Sequence, residues 1–238
     1  MGRAYEVRKA SILKTGAVKA KLYSMFAKEI YQAAKIGGTE IESNATLRRL
    51  VEKAKKEQIP ADLIKRAIDK VHSGTDESYS SVRYEIFGPS GATMIVDCLT
   101  DNVNRTLSYI RPAMNKNQGK MGLSNSVSYM YEHLCIVSFK GLTEEQTLEL
   151  LINANVDVDD IEANEDLIIV YGNPTDLFNI KEAIRGVLPT IEFEDDEIVV
   201  LPKEKITLAG ESLELFQRMY NMIDEIEDVQ SIAHNVNL

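Results

Sequence analysis

Apolar residues recur at helical spacing through the first third of the chain. From Val18 to Lys35, Leu22, Met25, Phe26, Ile30 and Ala33 form one stripe, which predicts an amphipathic helix ended by Gly37-Gly38. Asn44 is placed to cap a second helix that turns Leu47, Leu50, Val51 and Ala54 inward. Pro60 suits the first turn of a third, with Leu63, Ile64, Ala67, Ile68 and Val71 as its buried stripe. Ser73-Gly74-Thr75-Asp76 reads as a linker, after which the period changes. Val82 to Phe87 and Ala92 to Leu99 read as strands around the turn Gly88-Pro89-Ser90-Gly91. A helix is expected from about Val103, capped by Asp101 or Asn102. Pro112 has no N–H to give Ser108 and is expected to kink or shorten it. Gly119 and Gly122 mark a loop before a predicted strand from Ser126 to Tyr131.

From Cys135 the pattern starts again. The expected order is strand 135–139, helix 143–153, strand 158–162, strand 167–171, helix 174–186 and strand 191–201. Thr143 with Gln146 is a capping box, and Asn173-Pro174 is a cap followed by proline at the first helical position. This βαββαβ order is the split βαβ, ferredoxin-like pattern. A last helix, Glu211 to Ile226, and a last strand, Val229 to Val236, are too little for a domain. They are expected to return and complete the sheet begun at residues 82–131. The fold class is therefore α+β.

Charge adds a division that the periodicity does not show. The formal net charge is −10, yet residues 1–75 carry +8 and residues 76–238 carry −18. Lys14, Lys21, Lys28 and Lys35 are seven residues apart, so on a continuous helix they drift by only about 20° per step and line up away from the apolar stripe. Arg49, Lys53 and Lys56 lie opposite the buried side of the second helix, and Arg48 and Arg66 stand in the second and third. Basic outer faces on a small bundle offer cations to phosphate, so these nine residues are the candidate nucleic-acid contacts. The tight Gln58-Ile59-Pro60 connection fits a helix-turn-helix, although any two packed helices share such a turn and a plain bundle is preferred. The acidic remainder reads as a solvated face or as a surface for basic proteins such as those of ribosomes and polymerase.

Catalytic chemistry finds few candidates. His72, His133 and His234 have no ligand spacing, and no P-loop, GxGxxG or GxSxG is present. His133-Leu134-Cys135 reads as a strand entering an apolar core. The acidic groups at 157–160 and 194–197 lack the glycine and distal glutamate of a calcium loop. No enzyme activity, metal or cofactor is expected. Two cysteines in apolar runs fit a reducing compartment, and no apolar run approaches the roughly 18 residues of a membrane span, so a cytoplasmic protein is expected.

The densest motifs are Tyr84-Glu85-Ile86-Phe87-Gly88-Pro89-Ser90-Gly91, Leu99-Thr100-Asp101-Asn102-Val103-Asn104-Arg105-Thr106 and Ser126-Val127-Ser128-Tyr129-Met130. With Ala33-Ala34-Lys35-Ile36-Gly37-Gly38 upstream and Asp228-Val229-Gln230 and His234-Asn235 downstream, the chain resembles the YebC family of bacterial regulators over essentially its whole length. The opening Met1-Gly2-Arg3 and the Val236-Asn237-Leu238 end look most like the YeeN-like branch. The eukaryotic relatives of that family are mitochondrial translational activators. The resemblance implies three domains: a basic helical one at 1–76, a central α/β one of 77–133 with 205–238, and an acidic ferredoxin-like one at 134–204. It also implies a non-enzymatic regulator that binds nucleic acid. The target is promoter DNA in one reading and ribosomal RNA, as a ribosome-associated translation factor, in another. Asp101, Asn102, Asn104 and Arg105 are motif residues with two readings, helix capping or binding.

Overall fold

The computed structural model describes residues 16–73 and 78–238, so Lys14 lies outside the described residues. Three helices come first: α1 (Gly16–Gly37), α2 (Ala45–Lys56) and α3 (Ala61–Asp69). Next come β1 (Ser80–Phe87), β2 (Thr93–Thr100), α4 (Val103–Asn115) and β3 (Lys120–Met121). They are followed by β4 (Tyr131–Lys140), α5 (Glu144–Asn153), β5 (Asp160–Asn164), β6 (Leu167–Gly172), α6 (Leu177–Val187) and β7 (Asp195–Pro202). The described chain closes with α7 (Gly210–Asp224) and β8 (Val229–His234). The fold is α+β, as the order of periodicities predicts.

Among the described residues one compact unit is Met130–Lys203, and the other runs to Tyr129 and resumes over Glu204–Leu238. In the second unit, Phe26, Ile30 and Ala34 of α1 meet Leu47 and Val51 of α2 and Ile64 and Ala67 of α3 in one buried cluster. Asn44 makes the corner between α1 and α2. Its Oδ1 accepts from Leu47 N at 3.1 Å, and its Nδ2 donates to Ala33 O at 2.9 Å and Gly38 O at 2.8 Å. One buried side chain thus satisfies backbone groups at the end of one helix and the start of the next. A Cβ on Gly37 would come within 2.6 Å of Asn44 Nδ2, so glycine is required by the close approach.

The same unit holds a four-stranded antiparallel sheet ordered β3-β1-β2-β8. Alternate residues Tyr84 and Ile86 of β1 and Met94, Val96 and Cys98 of β2 face Ile110, Ala113 and Met114 of α4 and Phe216, Met219 and Ile223 of α7. This is the period-two burial that a sheet covered on one face by helices requires. The last helix and strand complete this sheet, β8 pairing with β2, as expected from the sequence.

Two local expectations are corrected. Residues 126–130 are not a strand: Ser128–Met130 is a 3-10 turn and the strand starts at Tyr131. The N–H groups of Val127 and Ser128 are claimed by the carboxylate of Glu85 instead of a neighbouring strand. Of the two effects expected of Pro112, a kink or a shortened helix, the shortening does not occur: α4 runs through Pro112 to Asn115. Ser108 and Pro112 are both exposed, so water is available to the carbonyl that loses its donor.

In the unit 130–203 the antiparallel order β5-β6-β4-β7, with α5 and α6 as crossovers, is that of a split βαβ. Cys135, Val137, Phe139, Ile168 and Val170 pack against Leu151 of α5 and Ile180 and Ile184 of α6. The capping box of Thr143 and Gln146 forms as expected, and Asn173 Oδ1 accepts from Thr175 N at 3.1 Å.

Candidate nucleic-acid interface

The basic face begins with α2. Its buried residues are Leu47, Val51 and Ala54, and its last turn exposes Lys53, Lys55 and Lys56. Cations there are favoured by the negative end of the helix dipole, so the same residues that stabilise the helix end present charge to solvent. Arg49 is half-buried. With Lys53 it lies near Glu29 of α1, whose carboxyl is pushed up by burial and drawn back by the two cations. Arg48 lies 3.9 Å from Glu42, and Arg66 pairs with Asp62 at 2.7 Å on the exposed side of α3. Lys35 is exposed, its ammonium 5.9 Å from the ring centre of Tyr31, and Lys70 approaches the same ring at 5.8 Å. Sequence reasoning did not select Lys55, Lys65 or Lys70. The lysine density around the C-terminal turns of α2 and α3 was the available signal.

Lys21 and Lys28 do not face outward with Lys35, and this corrects the expectation of a solvent-facing lysine line. Lys21 Nζ donates to the carbonyl of Asp224 and lies 3.5 Å from its Oδ1. Lys28 Nζ lies 3.0 Å from Asp228 Oδ1 and 3.6 Å from Glu227 Oε1.

Asp228 is the centre of a larger network. Its Oδ2 accepts from Thr106 Oγ1 at 2.8 Å, Thr100 Oγ1 at 3.1 Å and Arg105 Nη2 at 3.1 Å. Burial alone would raise its pKa. The hydrogen bonds from Lys28, Thr106 and Arg105 outweigh burial and hold the carboxyl below the usual range. Asn102 caps α4 by accepting from Arg105 N at 3.0 Å, and Asp101 Oδ1 takes the Arg105 guanidinium at 2.6 Å. The motif over 99–106 therefore ties a strand end and a helix start to a residue far along the chain. Asn104 is exposed. A cleft of about 720 Å³ opens here, with Asp101, Glu225, Glu227 and Asp228 against Lys28 and Arg105. Its acids outnumber its bases, and both cations are already paired, so it is not built for phosphate.

Sequence reasoning missed the role of Glu85. Its buried carboxylate accepts from Asn125 N at 2.7 Å, Val127 N at 2.5 Å, Ser128 N at 2.9 Å and Ser128 Oγ at 2.8 Å. Burial would raise its pKa, and the convergent donors bring it below the usual value. The signal was a lone acid in an otherwise apolar run, Tyr84-Glu85-Ile86-Phe87.

Burial pushes the Cys98 thiol up to about 12 and the Cys135 thiol up to about 11, which makes both poor nucleophiles. His133 is exposed, and Cys135 Sγ donates to Asn173 O at 3.2 Å. Among the described residues no three His, Cys, Asp or Glu side chains are grouped to hold a metal ion, and no helix is long and apolar enough to cross a membrane.

Comparison with known proteins adds the following. The TACO1/YebC protein N-terminal domain matches residues 3–74, and the TACO1/YebC second and third domain matches residues 79–236. A probable transcriptional regulatory protein of Pseudoalteromonas atlantica is 43% identical over 235 residues, spanning 99% of this chain and 97% of the relative. One of Vibrio campbellii is 44% identical over 238 residues, the full length of both. Among solved structures, the conserved hypothetical protein Aq1575 of Aquifex aeolicus is similar at 31% identity and a TM-score of 0.76, over 94% of this chain and 92% of that one.

Proposed function

The chain belongs to the TACO1/YebC family, and on that premise we propose that it is a transcriptional regulator that binds DNA through the outer faces of its N-terminal helices. The observation that carries this reading is the cationic last turn of α2, with Lys53, Lys55 and Lys56 exposed over a buried apolar stripe in the part of the chain that carries the positive charge. The names of the relatives support regulation of transcription over a role in translation. Phosphate contacts position a protein on nucleic acid and carry little sequence information, so these contacts do not by themselves choose a sequence. The reading includes three domains, a basic helical one at 1–76, a central one of 77–133 with 205–238 and an acidic one at 134–204. The acidic one suits a basic protein partner such as a face of RNA polymerase. It also includes a cytoplasmic location and no catalytic step.

Duplex binding as a function of salt tests it. Lys55→Gln with Lys56→Gln is expected to leave the fold within about ±0.5 kcal/mol per site. It should flatten the slope of log K against log salt by about 0.9 for each lost contact, similarly for all sequences. An unchanged slope would remove the helical face from the interface. Binding to ribosomal RNA with no measurable binding to duplex DNA would replace the transcriptional reading with the translational one.

A further inference from the structure

On α1, Lys21, Ser24 and Lys28 stand at i, i+3 and i+7 and so share one face. All three are bonded to one short segment, Asp224-Glu225-Ile226-Glu227-Asp228. Lys21 binds the carbonyl and carboxylate of Asp224, Ser24 Oγ donates to Glu227 Oε1 at 2.8 Å, and Lys28 reaches Glu227 and Asp228. Asp224 ends α7, so Lys21 also lies at the negative end of a helix dipole. The buried cluster of the helices and that of the central sheet have no residue in common, and Tyr31 of α1 meets Tyr79, just before β1, edge-on at 5.9 Å. Of the three carboxylates in the seam, Glu227 at 70% and Asp224 at 31% side-chain exposure reach solvent, and Asp228 at 5% does not. The exposed part of such a seam weakens with salt and yields to a stronger polyanion, whereas an apolar seam would do neither.

We propose that residues 224–228 act as an internal phosphate mimic, covering Lys21 and Lys28 until nucleic acid displaces them and adds the α1 face to the contact surface. This rests on the nucleic-acid reading above and describes how that site is regulated. The occupant of the α1 face in the unbound protein is the chain's own acidic segment, and its replacement is a phosphodiester backbone. The mimic works because it supplies what phosphate supplies, several anionic oxygens along a line of cations. It is beaten because a polyanion releases counterions that the protein's own carboxylates do not. Binding to the α2 face and opening of the seam then reinforce each other. Each lysine transferred from carboxylate to phosphate strengthens the complex.

The test compares duplex DNA binding by the full chain, Asp224→Asn/Glu227→Gln and a charge-matched control, Glu145→Gln/Glu149→Gln on α5. Asp228 is kept, because α4 depends on it. The seam variant is expected to bind more tightly, with a slope of log K against log salt close to that of the unaltered protein, because both end with Lys21 and Lys28 on phosphate. The control, with the same net charge, should gain less affinity. Lys21→Gln/Lys28→Gln in the otherwise unaltered chain should flatten the slope by up to about two, roughly 0.9 per lost contact. An unchanged slope in that lysine variant, or a gain in the seam variant no larger than in the control, would overturn the proposal. Hydrogen exchange without DNA separates it from the functional reading. Protection of residues 21–28 and 224–228 should fall with added salt and in the seam variant. If no form binds nucleic acid, the functional reading fails, and that exchange experiment alone then decides: salt-insensitive protection overturns the seam as a switch.

Discussion

Arg105 Nη2 lies 3.1 Å from Asp228 Oδ2 across 123 residues of sequence, with Asp101 Oδ1 at 2.6 Å from the same nitrogen. The guanidinium joins the start of α4 to the residue that precedes β8. Replacing it by alanine removes both ties, so Arg105→Ala is expected to lower Tm while leaving the salt slope of DNA binding unchanged. The reverse result, a stable protein with a flattened slope, would make Arg105 a phosphate contact. Asp228→Ala leaves Arg105, Thr100 and Thr106 without their shared acceptor and should cost about 3 kcal/mol, read by urea unfolding.

Glu85 holds the loop at 122–128 through three backbone N–H groups. Glu85→Gln keeps the shape and loses the charge that those donors converge on, at about 1–3 kcal/mol. Hydrogen exchange should accelerate in this loop before anywhere else in the sheet. The carboxyl's lowered pKa gives the same site a pH signature. Its stabilising effect is present above the unfolded value and is lost as pH falls through the lower folded value.

His234 titrates in a different window. It sits edge-on to Phe216 and Tyr220, each ring centre 5.4 Å away, and burial lowers its pKa to about 4. The unfolded chain takes up a proton near pH 6.5 and the folded one does not until about 4, so stability falls across that interval on acidification. The loss amounts to about 3 kcal/mol. His234→Phe is expected to flatten the dependence of unfolding free energy on pH between those limits. A persistent slope would place the titrating group elsewhere.

Gly37 and Gly186 should respond to alanine with opposite signs. At Gly37 the new Cβ meets Asn44, which is fixed by three hydrogen bonds, so Gly37→Ala should cost about 1–3 kcal/mol. Nothing lies within 4 Å of a Cβ on Gly186, near the end of α6, and Gly186→Ala should gain about 0.5 kcal/mol. Thermal melts of the two variants check both.

The elements with strong periodicity or local caps were legible in the sequence. Asn44, Thr143 and Asn173 start their helices because their side chains act within three residues, and the βαββαβ order follows from alternating periods. What could not be read depended on partners far along the chain. Residues 126–130 look extended, but the acceptor that bends them is Glu85, about 40 residues earlier. Lys21 and Lys28 share a helical line with Lys35, and helical spacing cannot tell that an acidic segment 200 residues away faces two of them. Local chemistry placed the cations on the right helices and could not say which were already engaged.

The sheet order β3-β1-β2-β8 has a consequence for how the chain is made. Asp97 of β2 and Ser231 of β8 are neighbours separated by 134 residues, and the unit 130–203 is synthesised between them. Until residues 228–234 emerge, β2 offers an open edge rich in Met94, Ile95, Val96 and Leu99, and Thr100, Arg105 and Thr106 wait for Asp228. The buried clusters of helices α1 to α3 and of the inserted unit each lie within their own segments and can form as they appear. The central sheet has to remain incomplete until β8 is available, so a chain cut shortly before residue 228 carries a formed helical cluster and a formed inserted unit with an unprotected strand between them.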